Sequence, residues 1–136
     1  MPIEHRVDKK TGIMHVRRWG EITTRDEQTA LRKRRKDPLV VPGIPVIVDC
    51  TEIDPPDTPE VIYFIAARIW SLAAELACGP VAIVVSSDVQ YGMARMFMSL
   101  TELNHPATDV FRSHEAALEW LQQKTDTGRL QSVDSL

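Results

Sequence analysis

Cysteine is scarce in this chain of 136 residues, which contains only Cys50 and Cys78. They lie far apart and neither belongs to a metal-ligand spacing, so we expect neither a disulfide scaffold nor a zinc site. Long hydrophobic runs are also lacking. The most apolar stretch, residues 61–77, contains Arg68 and Glu75 and is shorter than the roughly 20 apolar residues of a membrane-spanning helix. We therefore expect no membrane span and interpret this stretch as a buried helix.

The sequence also lacks a secretion signal, an excess of positive charge and recognisable catalytic motifs, and each absence argues against a class of function. The first residues lack the basic start and apolar core of a secretion signal, which together with the sparse cysteines predicts a cytoplasmic protein. The net charge of -3 argues against a nucleic-acid binder that relies on bulk charge. No loop is rich enough in glycine to hold phosphate, and no histidine lies in a triad or metal spacing. We expect no metal, no other cofactor and no catalytic activity.

The composition that is present is typical of a globular protein, with 43% hydrophobic and 26% charged residues. The length fits one domain. We predict a single α/β domain over residues 1–123, followed by a flexible polar tail over residues 124–136.

The N-terminal part predicts a hairpin and a helix. Residues 3–7 and 13–19 are short β-branched runs, and the loop between them contains Gly12, which permits positive φ. We expect an antiparallel pair of strands. Thr24 and Glu27 match a capping box, and the helix that follows should end near Asp37 because Pro38 comes next.

The rest of the chain alternates between apolar strands and helices. The predicted strands are residues 46–48, 81–85 and 109–111, and the predicted helices are residues 59–78, 89–103 and 115–123. Thr58, residues 86–88 and Ser113 would cap these helices. Alternation predicts right-handed crossovers. The expected fold is a mostly parallel sheet of four or five strands with an antiparallel N-terminal edge and about four helices.

Ligands of open α/β sheets gather at the carboxyl ends of the parallel strands. Those predicted ends are residues 19–21, 49–51 and 86–88. Tyr91 and Arg95 lie one helical turn apart just beyond, where they would either contact an anionic ligand or form a packed tyrosine with a surface arginine. The candidate ligand- or partner-binding residues at this edge are Asp49, Thr51, Ser87, Asp88, Tyr91 and Arg95.

The order of these motifs resembles a known group, the STAS-like proteins related to sporulation anti-sigma-factor antagonists (SpoIIAA-like). The resemblance covers roughly residues 3–122 and depends on the order of the hairpin, the first helix and the segments that follow: Asp37-Pro38, Pro42-Gly43, residues 45–49, residues 91–97, residues 110–112 and residues 117–121. It implies a STAS or SEC14-like sheet that binds a partner protein or a small ligand without catalysis.

The resemblance also implies a candidate phosphoacceptor. The antagonists carry a phosphorylated serine in a pattern of the type Asp-Ser-Ser-Gly-Leu, and the nearest match is Asp57-Thr58-Pro59-Glu60, which lacks the second serine and the glycine. A phosphate on Thr58 would lie at a helix N-terminus, where the dipole favours negative charge. The alternative is that Thr58 is only an N-cap.

Three further features have two interpretations each. Residues 32–36 are consecutive basic residues that would either contact anionic lipid, nucleic acid or an acidic protein face, or complement the helix dipole. Cys50 would be a nucleophile or an inert buried thiol. The acidic residues near the central strand would either form a functional site, by holding magnesium or by pairing as acid and base, or form a solvated loop; they are Asp49, Glu52, Asp54 and Asp57.

The helix predicted over residues 60–77 is apolar around most of its circumference. Such a helix needs cover on more than one side. The cover would be the chain's own core, an apolar ligand lodged near Phe64, Ile65 and Trp70, or a second subunit, of which homodimerisation is the simplest. The leading interpretation is a regulatory domain that binds a protein partner or itself. The first rival is a carrier or sensor of a small amphipathic or anionic ligand, and the second is an enzyme that uses Cys50 or the acidic loop.

Overall fold

The computed structural model describes residues 2–54, 79–101 and 107–134. These ranges contain the strands β1 (Ile3–Val7), β2 (Met14–Gly20), β3 (Val46–Ile53), β4 (Val81–Val84) and β5 (Thr108–Phe111), and the helices α1 (Thr24–Lys36), α2 (Asp88–Thr101) and α3 (His114–Asp134). The predicted helix at residues 59–78 lies outside the described residues. None of the helices in these ranges is long and apolar enough to cross a membrane.

The strands form one sheet in the order β1-β2-β3-β4-β5. β1 and β2 are antiparallel, joined by a turn in which Gly12 has a φ of 72° and donates its N–H to the Asp8 carbonyl. The other neighbouring strands are parallel. β3 lies at the centre, and its apolar start fits a strand that is buried on both faces. The predicted fold class is confirmed.

Helices cover both faces of the sheet. On one face, here called the α1 face, α1 and α2 pack on residues of β1 to β5; its buried side chains are Ile3, Met14, Val16, Ala30, Ile44, Val46, Ile83, Val85 and Val110. On the other, the α3 face, Ala117 and Leu121 of α3 pack against Ile47, Ala82 and Val84. α3 contacts β3, β4 and β5, and its first residue, His114, stacks on His15 of β2.

The capping box of α1 lies one residue earlier than predicted. Thr23 is the N-cap, and its hydroxyl accepts a hydrogen bond from the Asp26 N–H at 3.2 Å. The Asp26 carboxylate accepts the Thr23 N–H at 2.9 Å. The prediction of Thr24 with Glu27 was wrong because Glu27 turns into the interior and pairs with Arg18 of β2. The predicted end of α1 at Asp37 is confirmed.

β3 is longer than the predicted strand at residues 46–48 and continues to Ile53. Beyond a register shift, Trp19 and Gly20 of β2 pair with Glu52 and Ile53. Asp49 therefore lies within the strand and not at its end, which corrects the predicted edge. β4 stops earlier, at Val84 opposite Asp49, so β3 extends past its neighbour.

The last helix is also longer than predicted. α3 begins after Ser113, whose hydroxyl accepts the Ala116 N–H at 3.1 Å as expected of its cap, but it continues to Asp134 and not to Gln123. Adding residues to a helix that is already formed costs little, since each contributes a hydrogen bond. The polar segment after Gln123 therefore has a helical backbone, although its composition indicated a tail.

Candidate functional site

β3 extends past the end of β4, and the first turn of α2 lies against this extension. Ser87 is the N-cap of α2, because its hydroxyl accepts the Gln90 N–H at 3.1 Å, and the Gln90 side-chain oxygen accepts the Ser87 N–H at 3.3 Å. The same oxygen accepts the Ser86 N–H at 2.8 Å. This reciprocal pair is a capping box, and the predicted cap at residues 86–88 is confirmed.

Gln90 also joins α2 to the overhanging end of β3. Its amide nitrogen donates to the Thr51 carbonyl at 2.9 Å and to the Ile53 carbonyl at 3.3 Å. The Ser86 hydroxyl donates to the same Thr51 carbonyl at 2.9 Å. Beyond the end of β4, the side chains of Ser86 and Gln90 thus donate hydrogen bonds to backbone carbonyls of β3. Gln90 was not among the predicted site residues, although its spacing of three from Ser87 is a capping-box signal.

Two hydrogen bonds join Asp49 and Thr51. One Asp49 carboxylate oxygen accepts both the Thr51 N–H at 2.9 Å and the Thr51 hydroxyl at 2.7 Å. The neighbouring Glu52 instead pairs with Arg17 at 2.8 Å. Of the predicted acidic cluster, Asp57 lies outside the described residues. Within residues 2–54, 79–101 and 107–134, no three histidine, cysteine or acidic side chains are placed to hold a metal ion.

Tyr91 and Arg95 have different neighbours. The guanidinium above the Tyr91 ring, 4.9 Å from its centroid, is that of Arg112, which also pairs with Asp88 at 2.6 Å. Arg95 lies 3.9 Å from Asp109. Tyr91 itself packs against the core on the α1 face. The structure therefore brings Asp88, Tyr91 and Arg112 together.

Arg112 was absent from the predicted site. It follows β5, more than twenty positions after Tyr91, so no local spacing in the sequence connects the two residues. Only the parallel pairing of β4 and β5 places the end of β5 beside the start of α2.

Cys50 lies on the α1 face and packs against the cluster of Ile83 and Val85. Burial raises the pKa of its thiol to about 11, and the positive charge of nearby Arg18 offsets this only in part. A thiol needs its thiolate form to act as a nucleophile. Cys50 is therefore protonated at neutral pH and unsuited to nucleophilic chemistry.

Two predicted features remain untested by this geometry. The candidate phosphoacceptor Thr58 and the apolar residues Phe64, Ile65 and Trp70 lie outside the described residues.

The basic residues 32–36 form the last turns of α1, where positive charge is favoured by the helix dipole.

We give the name strand-end site to the residues that meet on β3, at the start of α2 and after β5: Asp49, Thr51, Ser86, Ser87, Asp88, Gln90, Tyr91 and Arg112. Its polar groups are engaged in hydrogen bonds and ion pairs that join β3, α2 and the end of β5. These contacts connect the three elements that meet at the strand-end site.

No model of a known protein family matches this chain, and no curated protein is significantly similar to it in sequence. Among solved structures, it is similar to the crystal structure of an uncharacterized protein of the DUF3478 family, with a SpoIIAA-like fold, from Shewanella loihica PV-4. The TM-score is 0.57 at 19% sequence identity, over 88% of this chain and 91% of that one. At this identity the likeness shows the fold alone. The predicted resemblance is thereby confirmed at the level of the fold, which is SpoIIAA-like.

Proposed function

We propose that this chain is a non-catalytic STAS-like regulatory domain that binds another protein at the strand-end site. The observation that carries the proposal is an apolar stripe beside that site. Val89 and Met96 lie seven positions apart on α2, and their exposed fractions are 57% and 39%. Residues with this spacing share one face of a helix. Exposed apolar side chains next to a fixed polar rim are typical of protein interfaces.

The state of the polar groups supports binding over catalysis. One carboxylate oxygen of Asp49 accepts two hydrogen bonds from Thr51, and one carboxylate oxygen of Asp88 pairs with Arg112. The thiol of Cys50 is held in its protonated form. A general base or nucleophile would need a group that is free to take a proton or attack a substrate. Cys50 as a free thiol also fits a reducing, cytoplasmic location.

One observation favours a second candidate, a binder of a small anionic ligand. Arg112 places a guanidinium above the Tyr91 ring near the N-terminus of α2, and these groups are suited to an anion. Such a ligand would have to displace Asp88 from Arg112. We rank this candidate second because the carboxylate already compensates the charge.

The test is native mass spectrometry of the tagged protein purified from its own organism. We expect a stoichiometric protein partner that is retained by the wild type and lost from Val89→Asp and Met96→Asp. Leu39→Asp is the matched control, because Leu39 is a similarly exposed apolar residue outside the strand-end site. It should keep the partner.

The alternatives give different results. A small bound molecule that is lost from Arg112→Gln and retained by Val89→Asp would favour the ligand binder. A partner that is lost equally from all three aspartate variants would show that the interaction does not involve the strand-end site.

A further inference from the structure

Among the described strands, β1 lies at an edge of the sheet and pairs with β2 alone. The Trp19 N–H donates to the Pro2 carbonyl and the Asp8 N–H to the Ile13 carbonyl, both at 3.0 Å, so these positions of the hairpin face inward. Backbone groups alternate in direction along an antiparallel ladder. The N–H and C=O groups of Ile3, His5 and Val7 therefore point away from β2. A row of such groups is a template for another strand.

The α3 face of these strands carries an alternating row of charges. Glu52 of β3 pairs with Arg17 of β2 at 2.8 Å, and Arg17 lies 3.7 Å from Glu4 of β1. Acid, base and acid thus follow one another across three strands. A fourth strand beside β1 would continue the row if it placed a basic residue opposite Glu4.

In the part of the chain that the structure describes, Arg6 makes no ion pair like that of Arg17, although its positive charge helps to lower the pKa of Asp8, two positions along the chain. It lies two positions from Glu4 on the same face of β1, and its cross-strand neighbour on β2 is His15. Among the described residues, Arg6 forms no ion pair. A fourth strand would satisfy it by placing an acidic residue opposite.

We propose that β1 pairs with β1 of a second copy of this chain, antiparallel and with the two-fold axis at His5. Glu4 then lies opposite Arg6 of the second copy, and Arg6 lies opposite its Glu4. The outward backbone groups of Ile3 meet those of Val7 of the second copy. The two five-stranded sheets become one continuous sheet. The row of Glu52, Arg17 and Glu4 in each copy is then followed by Arg6 of the second copy.

The charges select this register among those that the backbone permits. Because the outward groups lie on alternate residues, the strand can slip only in steps of two. One such step places Glu4 opposite Glu4 of the second copy, and the opposite step places Arg6 opposite Arg6. Like charges directly opposite each other are destabilising. The interface is independent of the strand-end site, so the two proposals stand or fall separately.

Sedimentation velocity of the full chain tests the proposal through charge reversals. We expect the wild type to dimerise with increasing concentration. Glu4→Arg alone and Arg6→Glu alone each create two repulsive pairs and should weaken dimerisation by roughly tenfold or more. The double variant Glu4→Arg with Arg6→Glu exchanges the charges and should dimerise like the wild type. An equimolar mixture of the two single variants should form heterodimers, since every cross-strand pair is then attractive.

Two controls separate the interface from folding and from total charge. Glu4 and Arg6 are exposed, so the variants should keep the wild-type circular dichroism spectrum. Glu119→Arg and Lys9→Glu make the same charge changes at exposed positions outside β1 and should leave dimerisation unchanged. Amide exchange by NMR gives a second readout, because Ile3, His5 and Val7 should become protected as the dimer forms.

Several results would overturn the proposal. One is a wild type that stays monomeric at every concentration, whether the chain has no partner at β1 or pairs there with a segment of another protein. Another is a dimer that both single reversals leave intact. A dimer in which the amides of Ile3, His5 and Val7 exchange as fast as in the monomer would also place the contact elsewhere.

Discussion

Arg18 of β2 and Glu27 of α1 form a buried ion pair, with two guanidinium nitrogens directed at the two carboxylate oxygens. Their exposed fractions are 8% and 7%. The preceding residue, Arg17, points to the opposite face of the sheet and pairs with Glu52 at the surface. Adjacent arginines on one strand therefore form one buried and one exposed ion pair, which allows a direct comparison of the two environments.

Glu27→Gln should destabilise the protein far more than Glu52→Gln. The first change leaves the Arg18 charge buried without a counter-charge, at a cost on the order of 3 kcal/mol. The second breaks a solvated pair and should cost about 1 kcal/mol or less. Urea unfolding of both variants measures the difference in the free energy of unfolding.

The combination of Arg18→Met with Glu27→Leu is the control for packing. It removes both charges and should recover much of the stability lost in Glu27→Gln. Equal losses for Glu27→Gln and Glu52→Gln would contradict the prediction, because they would mean that burial adds nothing to the cost.

The pair also shows why one part of the fold was mispredicted. Thr23 and Thr24 are both suitable caps, and Asp26 and Glu27 are both suitable partners, so sequence spacing alone does not decide between them. Arg18 decides, because it holds Glu27 in the interior and leaves Asp26 to complete the capping box. A contact between elements thus sets a local boundary.

The other predictions also divide into features set by local sequence and features set by contacts between distant parts of the chain. The hairpin, the central strand and the cap of α2 follow from local patterns of apolar, glycine and serine residues, and they were predicted correctly. The end of β3 depends on its pairing with Trp19 and Gly20, and the contact of Arg112 with Tyr91 depends on the order of strands. These relationships join distant parts of the chain, so no spacing in the sequence reveals them.

His15 should make the protein less stable as the pH falls below about 6.5. Its ring stacks on that of His114, 5.8 Å between centroids. Burial lowers the pKa of His15, the positive charges of Arg6 and His114 lower it further, and Asp8 acts in the opposite direction. Between the two pKa values the unfolded chain binds the extra proton and the folded chain does not, so falling pH favours unfolding.

NMR titration of His15 measures its pKa directly, and urea unfolding at several pH values measures the linked change in stability. His15→Phe retains an aromatic ring against His114 but has no proton to bind, and it should show a shallower loss of stability with acid. A variant whose loss matches that of the wild type would assign the effect to other groups.

Gln90 both caps α2 and donates hydrogen bonds to β3, and the substitution Gln90→Glu separates these two roles. Gln90→Ala removes both the capping box of α2 and the hydrogen bonds to the Thr51 and Ile53 carbonyls, and should cost roughly 2 kcal/mol. Gln90→Glu keeps an acceptor for the Ser87 N–H and adds a negative charge that the helix N-terminus favours. It cannot donate to the two carbonyls, because an ionised carboxylate has no proton.

If the connection to β3 matters most, Gln90→Glu should be nearly as unstable as Gln90→Ala. If the cap matters most, it should be nearly as stable as the wild type. We expect the first result, since two carbonyl oxygens of β3 would face a carboxylate in place of their donor. Urea unfolding measures both variants, with Gln122→Ala on an exposed position of α3 as the control. Wild-type stability of Gln90→Glu would show that the end of β3 is held without this side chain.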